Sequence, residues 1–303
     1  MAKLRMSGAR DAPRNLFVIG PARAGTRLIR DLTATHPDAV SVPYDVNYVW
    51  RLGNERLGHD ELTPDLLTSK IRDQISTQLN RYRKGRQLLV EKTLSNSLRV
   101  PFVRAAFNDA VFVHLIRDPL DVVESAYRQW LAPPQWRYIV RKARTFPITR
   151  AFGYARSYAR RTALRTLGRP GGGPPTWGPR YRGIDRDLER AGVLEVCALQ
   201  ALRCAQAAEA GFKTVPVDAV LVVRYERFVD QPASHLRAIW QLAALDPELA
   251  DAEDICESVS TASIGRGWRE LDDQQRHTVL RHVGESRIAA GYQDPPAAGH
   301  TVG

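Results

Sequence analysis

The chain is poor in the residues that cross-link or anchor a protein. It has three cysteines, Cys197, Cys204 and Cys256, an odd number without the paired spacing of a zinc site or a disulfide framework. The seven-residue step from Cys197 to Cys204 is helical and turns both thiols toward a core. No stretch approaches the ~20 apolar residues that span a bilayer, and no segment repeats. Residues 1–14 are polar and basic and lack the apolar region of a secretory signal, so the expected compartment is the cytoplasm, at most peripheral to the inner face of the membrane. Acidic residues are missing altogether from 131–184, which holds twelve Lys or Arg; against a net charge of +11, the rest of the chain nets about −1.

What is present is an α/β pattern. Apolar, β-branched runs at 16–20, 40–43, 88–91, 111–116 and 220–224 read as strands. Helical periodicity appears at 25–35, 65–82, 98–107, 120–130, 187–210, 233–244 and 273–290. Strands alternating with helices call for right-handed crossovers and a central parallel sheet flanked by helices, a three-layer α/β domain. At 303 residues one such domain accounts for the chain, with flexible ends at 1–14 and 293–303 and a basic insertion at 131–186.

Two stretches carry the chemistry. Leu16-Phe17-Val18-Ile19-Gly20-Pro21-Ala22-Arg23-Ala24-Gly25-Thr26-Arg27 is a strand running into a Gly-flanked loop and then a helix, which aims free backbone N–H groups at an anion. Val111-Phe112-Val113-His114-Leu115-Ile116-Arg117-Asp118-Pro119 is a second strand that ends on a guanidinium, with Ser125 about two helical turns on. Ligands in parallel sheets lie beyond the carboxyl ends of the strands. Two such grips on neighbouring strands suit a bisphosphorylated nucleotide. The first loop is not a Walker A sequence: Thr26 and Arg27 follow Gly25 where Lys and Ser/Thr are required, and the cation has moved back to Arg23.

That arrangement resembles the sulfotransferases that use 3′-phosphoadenosine 5′-phosphosulfate. Their 5′-phosphosulfate loop, Gly-x-x-Arg/Lys-x-Gly-Thr, is matched by Gly20, Arg23, Gly25 and Thr26; their 3′-phosphate motif, Arg-Asp-Pro with a helical Ser, by Arg117, Asp118, Pro119 and Ser125. Glu91-Lys92-Thr93 resembles the family's Glu-Lys-Thr/Ser-Pro segment with Leu94 in place of Pro, Arg224-Tyr225-Glu226 its Arg-Tyr-Glu strand, and Ser263-Ile264-Gly265-Arg266 its late Gly-Arg loop. The resemblance runs over 16–292 and is weakest at 131–184. It implies a P-loop-like fold and a sulfuryl transfer in which 3′-phosphoadenosine 5′-phosphosulfate is the co-substrate and no metal is required.

Residue by residue, the resemblance implies that the N–H groups of Ala24, Gly25 and Thr26 hold the 5′-phosphate, helped by the Thr26 hydroxyl, with Arg27 at the same end or on the helix flank. Arg117 and Ser125 take the 3′-phosphate. Arg266 closes over it beside Gly267, and Tyr225 packs near the nucleotide or in the core. Sulfuryl transfer, like phosphoryl transfer, needs positioning and charge neutralisation at the leaving oxygen. Arg23, always protonated, is the candidate for that role, with Lys92 as a second cation. The acceptor proton needs a base. Asp45 is the candidate, because 36–45 resembles the heparan sulfate 3-O-sulfotransferases, which carry a catalytic Glu at the matching place. Glu91 is the rival, or else a structural partner of Lys92 or a core-edge acid. His36 reads as a helix end, His114 as a core histidine, and Tyr48 and Trp50 as cleft lining or core.

The basic segment 131–184 also holds eight aromatics between Trp136 and Tyr181. Beside a nucleotide site it suits an anionic carbohydrate or lipid-linked glycan acceptor, or a membrane surface; no nucleic-acid motif accompanies it. The alternatives are a non-catalytic nucleotide fold that docks on a polyanion or membrane through the basic insertion, and a kinase, the latter disfavoured by the missing Walker lysine.

Overall fold

A computed structural model describes residues 14–132 and 177–293. Five strands, β1 (Arg14–Ile19), β2 (Ala39–Ser41), β3 (Leu88–Glu91), β4 (Val111–Ile116) and β5 (Val220–Arg224), form one parallel sheet in the order β2-β3-β1-β4-β5. Side chains alternate across it. Leu16 and Val18 of β1 join one core layer, while Phe17 and Ile19 join the other. Both faces are covered, which is why β1, β3 and β4 read as near-continuous apolar runs.

On the first face lie α1 (Thr26–Thr33), α5 (Pro119–Leu131), α7 (Val193–Phe212), α9 (Pro232–Leu242) and α12 (Asp273–Ala289); α2 (Asn47–Trp50), α3 (Ser69–Asn80) and α4 (Val100–Ala106) pack on the second. Short helices α6 (Ile184–Arg190), α8 (Tyr225–Asp230), α10 (Ala252–Cys256) and α11 (Arg266–Glu270) complete the described residues. The expected parallel α/β architecture is therefore present, and β3, β4 and β5 fall on their expected residues.

Several elements differ from expectation: the helix expected over 65–82 is α3 alone, because Leu67 and Thr68 before it are extended, and β2 stops at Ser41, two residues short of the expected end. The helix expected over 187–210 is two helices, α6 and α7, because Ala191 and Gly192 are both extended between them. The strand resemblance at Arg224-Tyr225-Glu226 stops at Arg224, and Tyr225 opens α8. Most of the basic insertion, 133–176, lies outside the described residues, as do 1–13 and 294–303. Among the described residues no helix is long and apolar enough to cross a membrane.

Strand order positions the site. β1 is central, with β3 on one side and β4 on the other, so the chain reverses direction across the sheet there. Register pairs Ile19 with His114, and the loops that leave β1 and β4 start side by side. The Arg-Asp-Pro triplet after β4 divides its labour. The Asp118 side chain caps α5 by accepting from Leu120 N at 2.9 Å, Pro119 takes a first-turn position that has no use for an N–H, and Arg117 is left for the crevice. Gly25 caps α1 with φ 103°, and a Cβ there would lie 2.5 Å from the Tyr225 ring. Gly25→Ala should therefore lower stability by about 2 kcal/mol, measured from urea unfolding midpoints; an unchanged midpoint would mean that the loop is not seated against Tyr225.

Candidate active site

The loop after β1 is pressed against its neighbours. A Cβ on Gly20 would sit 2.7 Å from the Leu115 carbonyl oxygen, so only glycine lets β1 turn out this close to β4. Arg23, a non-glycine residue, is held at φ 75°, in the sparsely populated left-handed region. That conformation turns its carbonyl toward Arg117 Nη1, which donates to it at 3.2 Å, while its exposed side chain reaches across and Nε donates to Ser125 Oγ at 3.0 Å. Partial desolvation, then the Arg128 and Arg117 charges, lower the pKa of Arg23. The loops after β1 and β4 are thus joined through Arg23, Arg117 and Ser125.

Not every expected ligand is open. Ala24 N–H donates to the Pro21 carbonyl at 3.1 Å and closes the loop on itself. That corrects its expected role, because a donor spent in the turn has no hydrogen left for a phosphate. Thr26, buried, starts α1 where first-turn N–H groups have no intrahelical acceptor. Arg27 lies on the helix flank, exposed and paired with Asp31 at 3.3 Å.

Arg117 is buried at the end of β4. Its guanidinium lies 4.1 Å from the Tyr225 ring centroid, Nη2 donates to the Ser263 carbonyl at 2.7 Å, and Asp121 lies 3.7 Å away. Nε is buried with no hydrogen-bond partner among the described residues. The Tyr225 hydroxyl, 2.8 Å from Ser263 Oγ, ties the same loop. Asp121 accepts from Gly265 N and Gly267 N, each at 2.8 Å, and a Cβ on Gly267 would meet the Leu120 backbone at 2.6 Å, so the loop that carries Arg266 is docked tightly on α5.

At the ends of β2 and β3 stands a second group. Lys92 Nζ donates to Asp45 Oδ1 at 2.8 Å; Lys92 is buried and the Asp45 side chain is 25 % exposed. Of the two structural expectations for Glu91, the pairing with Lys92 is absent and the core-edge acid is present. Glu91 points into the protein, fully buried, with one oxygen accepting from the Thr93 hydroxyl and the other from Asn96 Nδ2 at 3.0 Å. Both oxygens are committed and away from solvent, which argues against Glu91 as the base. His114 stacks on Phe212 with ring centroids 4.4 Å apart, and burial lowers its pKa to about 4. His36 bonds the Asp246 carbonyl at 2.9 Å, and Trp50 is fully buried, edge-on to Phe17. These three are structural.

The sequence model described as "Sulfotransferase family" matches residues 13–167, half of the chain and both loops included. The chain belongs to the sulfotransferase family. Two solved structures share the fold: the sulfotransferase domain of the curacin biosynthetic pathway, 13 % identical over 93 % of this chain and 99 % of that one with a TM-score of 0.51, and a sulfotransferase from Alicyclobacillus acidocaldarius, 17 % identical over 95 % and 98 % with a TM-score of 0.51. No curated protein matches in sequence. The family's sulfuryl donor is 3′-phosphoadenosine 5′-phosphosulfate, and this chain is accordingly a sulfotransferase and not a kinase.

Sequence reasoning missed the buried network behind this sulfotransferase's Lys92–Asp45 pair. Asp60 accepts from Asn47 Nδ2, Arg51 Nη1, Ser95 Oγ and Arg180 N at 2.7–3.0 Å. Asn47 Oδ1 accepts from Arg99 Nη2, Arg99 Nε donates to Asn96 Oδ1, and Asn96 leads to Glu91. Thr93 Oγ1 closes the chain by accepting from Val46 N, next to Asp45. Burial opposes the charge of Asp60, yet Arg99 and these donors hold its pKa below the usual value. Glu91 goes the other way: burial raises its pKa from 4.5 to about 7. Between those values the folded chain keeps a proton that the unfolded chain has released, so this group costs stability progressively as pH rises from about 4.5 to 7, by up to ~3 kcal/mol. Glu91→Gln should flatten that decline, measured by urea unfolding across the interval; parallel pH curves for both proteins would show that Glu91 titrates normally.

Proposed function

We propose that this single-domain sulfotransferase moves a sulfuryl group from 3′-phosphoadenosine 5′-phosphosulfate to a hydroxyl, or an amine, of an anionic carbohydrate or lipid-linked glycan. The donor fits the residues present. Gly20 and Gly25 leave room for no Cβ at the loop, the first turn of α1 offers open N–H groups, and Arg117 keeps a buried Nε without a partner. Gly25 and Thr26 would hold the 5′-phosphate, and Arg117 and Ser125 the 3′-phosphate, with Arg266, Gly267 and Tyr225 behind it. When bound, the donor supplies an activated S–O bond to a phosphate leaving group.

The observation that carries the catalytic reading is the 2.8 Å contact between Lys92 Nζ and Asp45 Oδ1. Lys92 occupies one carboxylate oxygen and leaves the other to accept the acceptor's proton. As that proton moves to Asp45, the acceptor oxygen forms the new bond to sulfur and the bond from sulfur to the phosphate oxygen breaks. Arg23 stays protonated and neutralises the charge on the phosphate left behind. To serve there it must exchange its hydrogen bond to Ser125 for the nucleotide, and Ser125 is thereby released for the 3′-phosphate.

The acceptor class rests on charge. The twelve Lys and Arg of 131–184, with no acid among them, favour an anionic acceptor, and the same charge suits peripheral binding at the inner face of the membrane. Asp45→Asn should lower kcat by roughly 10²-fold or more while leaving the affinity for 3′,5′-adenosine bisphosphate unchanged; equal kcat in the two proteins would remove Asp45 from the chemistry. In calorimetry, the bisphosphate should bind without metal and more tightly than magnesium-ATP, and Arg117→Ala should lose that binding. A preference for magnesium-ATP would refute the assignment of the two loops.

A further inference from the structure

Helix α5 carries Asp121, Glu124, Ser125 and Arg128 on one stripe, at i, i+3, i+4 and i+7. Asp121 is spent on the N–H groups of Gly265 and Gly267. Glu124 has no such backbone duty, and its side chain, 6 % exposed, sits next to the serine proposed to hold a phosphate. By Coulomb's law a carboxylate there opposes an anion, so it needs a reason.

Its contacts provide one. Oε1 accepts from Arg128 Nε at 2.9 Å, and Oε2 faces Arg266 Nε at 3.8 Å, neither of these last two atoms having a hydrogen-bond partner among the described residues. One buried carboxylate therefore stands between two guanidinia from different elements, α5 and the start of α11. As an isolated helical i, i+4 pair on a half-exposed arginine, Glu124–Arg128 would contribute only ~0.3–0.5 kcal/mol. Arg128 is also the foremost charged neighbour acting on Arg23. Arg266 Nη2 also lies 3.7 Å from Glu270 Oε1, so Arg23, Arg117, Arg128 and Arg266 share this region of α5 with three carboxylates, Asp121, Glu124 and Glu270.

We infer that Glu124 and Arg128 belong to the donor site: Glu124 is a positioning residue that fixes the Arg128 and Arg266 guanidinia, and Arg128 is a further contact for the ribose 3′-phosphate that separates a 3′-phosphorylated donor from its unphosphorylated counterpart. The inference rests on the reading that Arg117 and Ser125 hold that phosphate. Arg128, half-exposed, approaches it from the solvent side, while Arg117 meets it from inside the sheet.

The experiment is a calorimetric titration of the whole chain and two variants with 3′,5′-adenosine bisphosphate and with 5′-AMP. If the unaltered protein does not prefer the bisphosphate, the reading of Arg117 and Ser125 fails. If it does, Arg128→Gln should weaken the bisphosphate roughly tenfold, the loss of one charge-assisted hydrogen bond, and leave 5′-AMP unchanged. Glu124→Gln provides a test of sign. Removing a negative charge beside a dianion tightens binding if Coulomb energy alone acts, whereas loss of positioning weakens it, by roughly threefold to tenfold on our reading. An Arg128→Gln protein with the same ratio of affinities, or a Glu124→Gln protein that binds the bisphosphate more tightly, would overturn the inference. Should Glu124→Gln fail to fold, Arg128→Gln, at a half-exposed position, still decides the matter.

Discussion

The site depends on a guanidinium that is buried at the carboxyl end of a central strand. A buried cation is costly unless its hydrogens find acceptors, and Arg117 finds them in two distant parts of the chain, the Arg23 carbonyl and the Ser263 carbonyl. Its face lies on Tyr225, whose ring in turn packs against Gly25. Four segments that share no local sequence signal converge because one charge has to be satisfied. The parallel pairing of β1 with β4 puts that charge where the first loop can reach it.

Carboxylates around the crevice follow a common rule. Asp118 is held by Arg287, Glu226 accepts from Asp118 N and the Tyr292 hydroxyl, Asp121 accepts backbone N–H groups, and Glu124 stands between two arginines. Each orients a cation or a backbone segment from behind. Fixed ion pairs and caps thereby hold the arginines of this region in place.

How far the sequence could be read follows from the range of the forces involved. Strand runs and Gly-flanked loops are local: β3, β4 and β5 and the positions of Gly20, Gly25, Arg117 and Ser125 were legible because period, propensity and turn geometry act over a few residues. Tyr225 was misread as strand because its place is decided by its contacts with Gly25, Arg117 and Ser263, all remote in the chain. Of the two structural places open to Glu91, partner of Lys92 or core-edge acid, the second is observed: successive side chains on a strand point to opposite faces, and the ammonium meets Asp45 across the strand ends. The network from Asp60 through Asn47, Arg99 and Asn96 to Glu91 left no periodic trace, since its members are polar residues in connections, identifiable as buried only once the fold encloses them.

The docking of the late loop on α5 has a thermodynamic consequence. Gly265 and Gly267 are bonded to Asp121, and Ser263 to Arg117 and Tyr225. A loop ordered during folding loses its conformational freedom once, for every turnover that follows, whereas a loop ordered by ligand would subtract that entropy from each binding event. The bonds to Asp121, Arg117 and Tyr225 thus place the ordering of residues 263–267 within the folding of the chain itself.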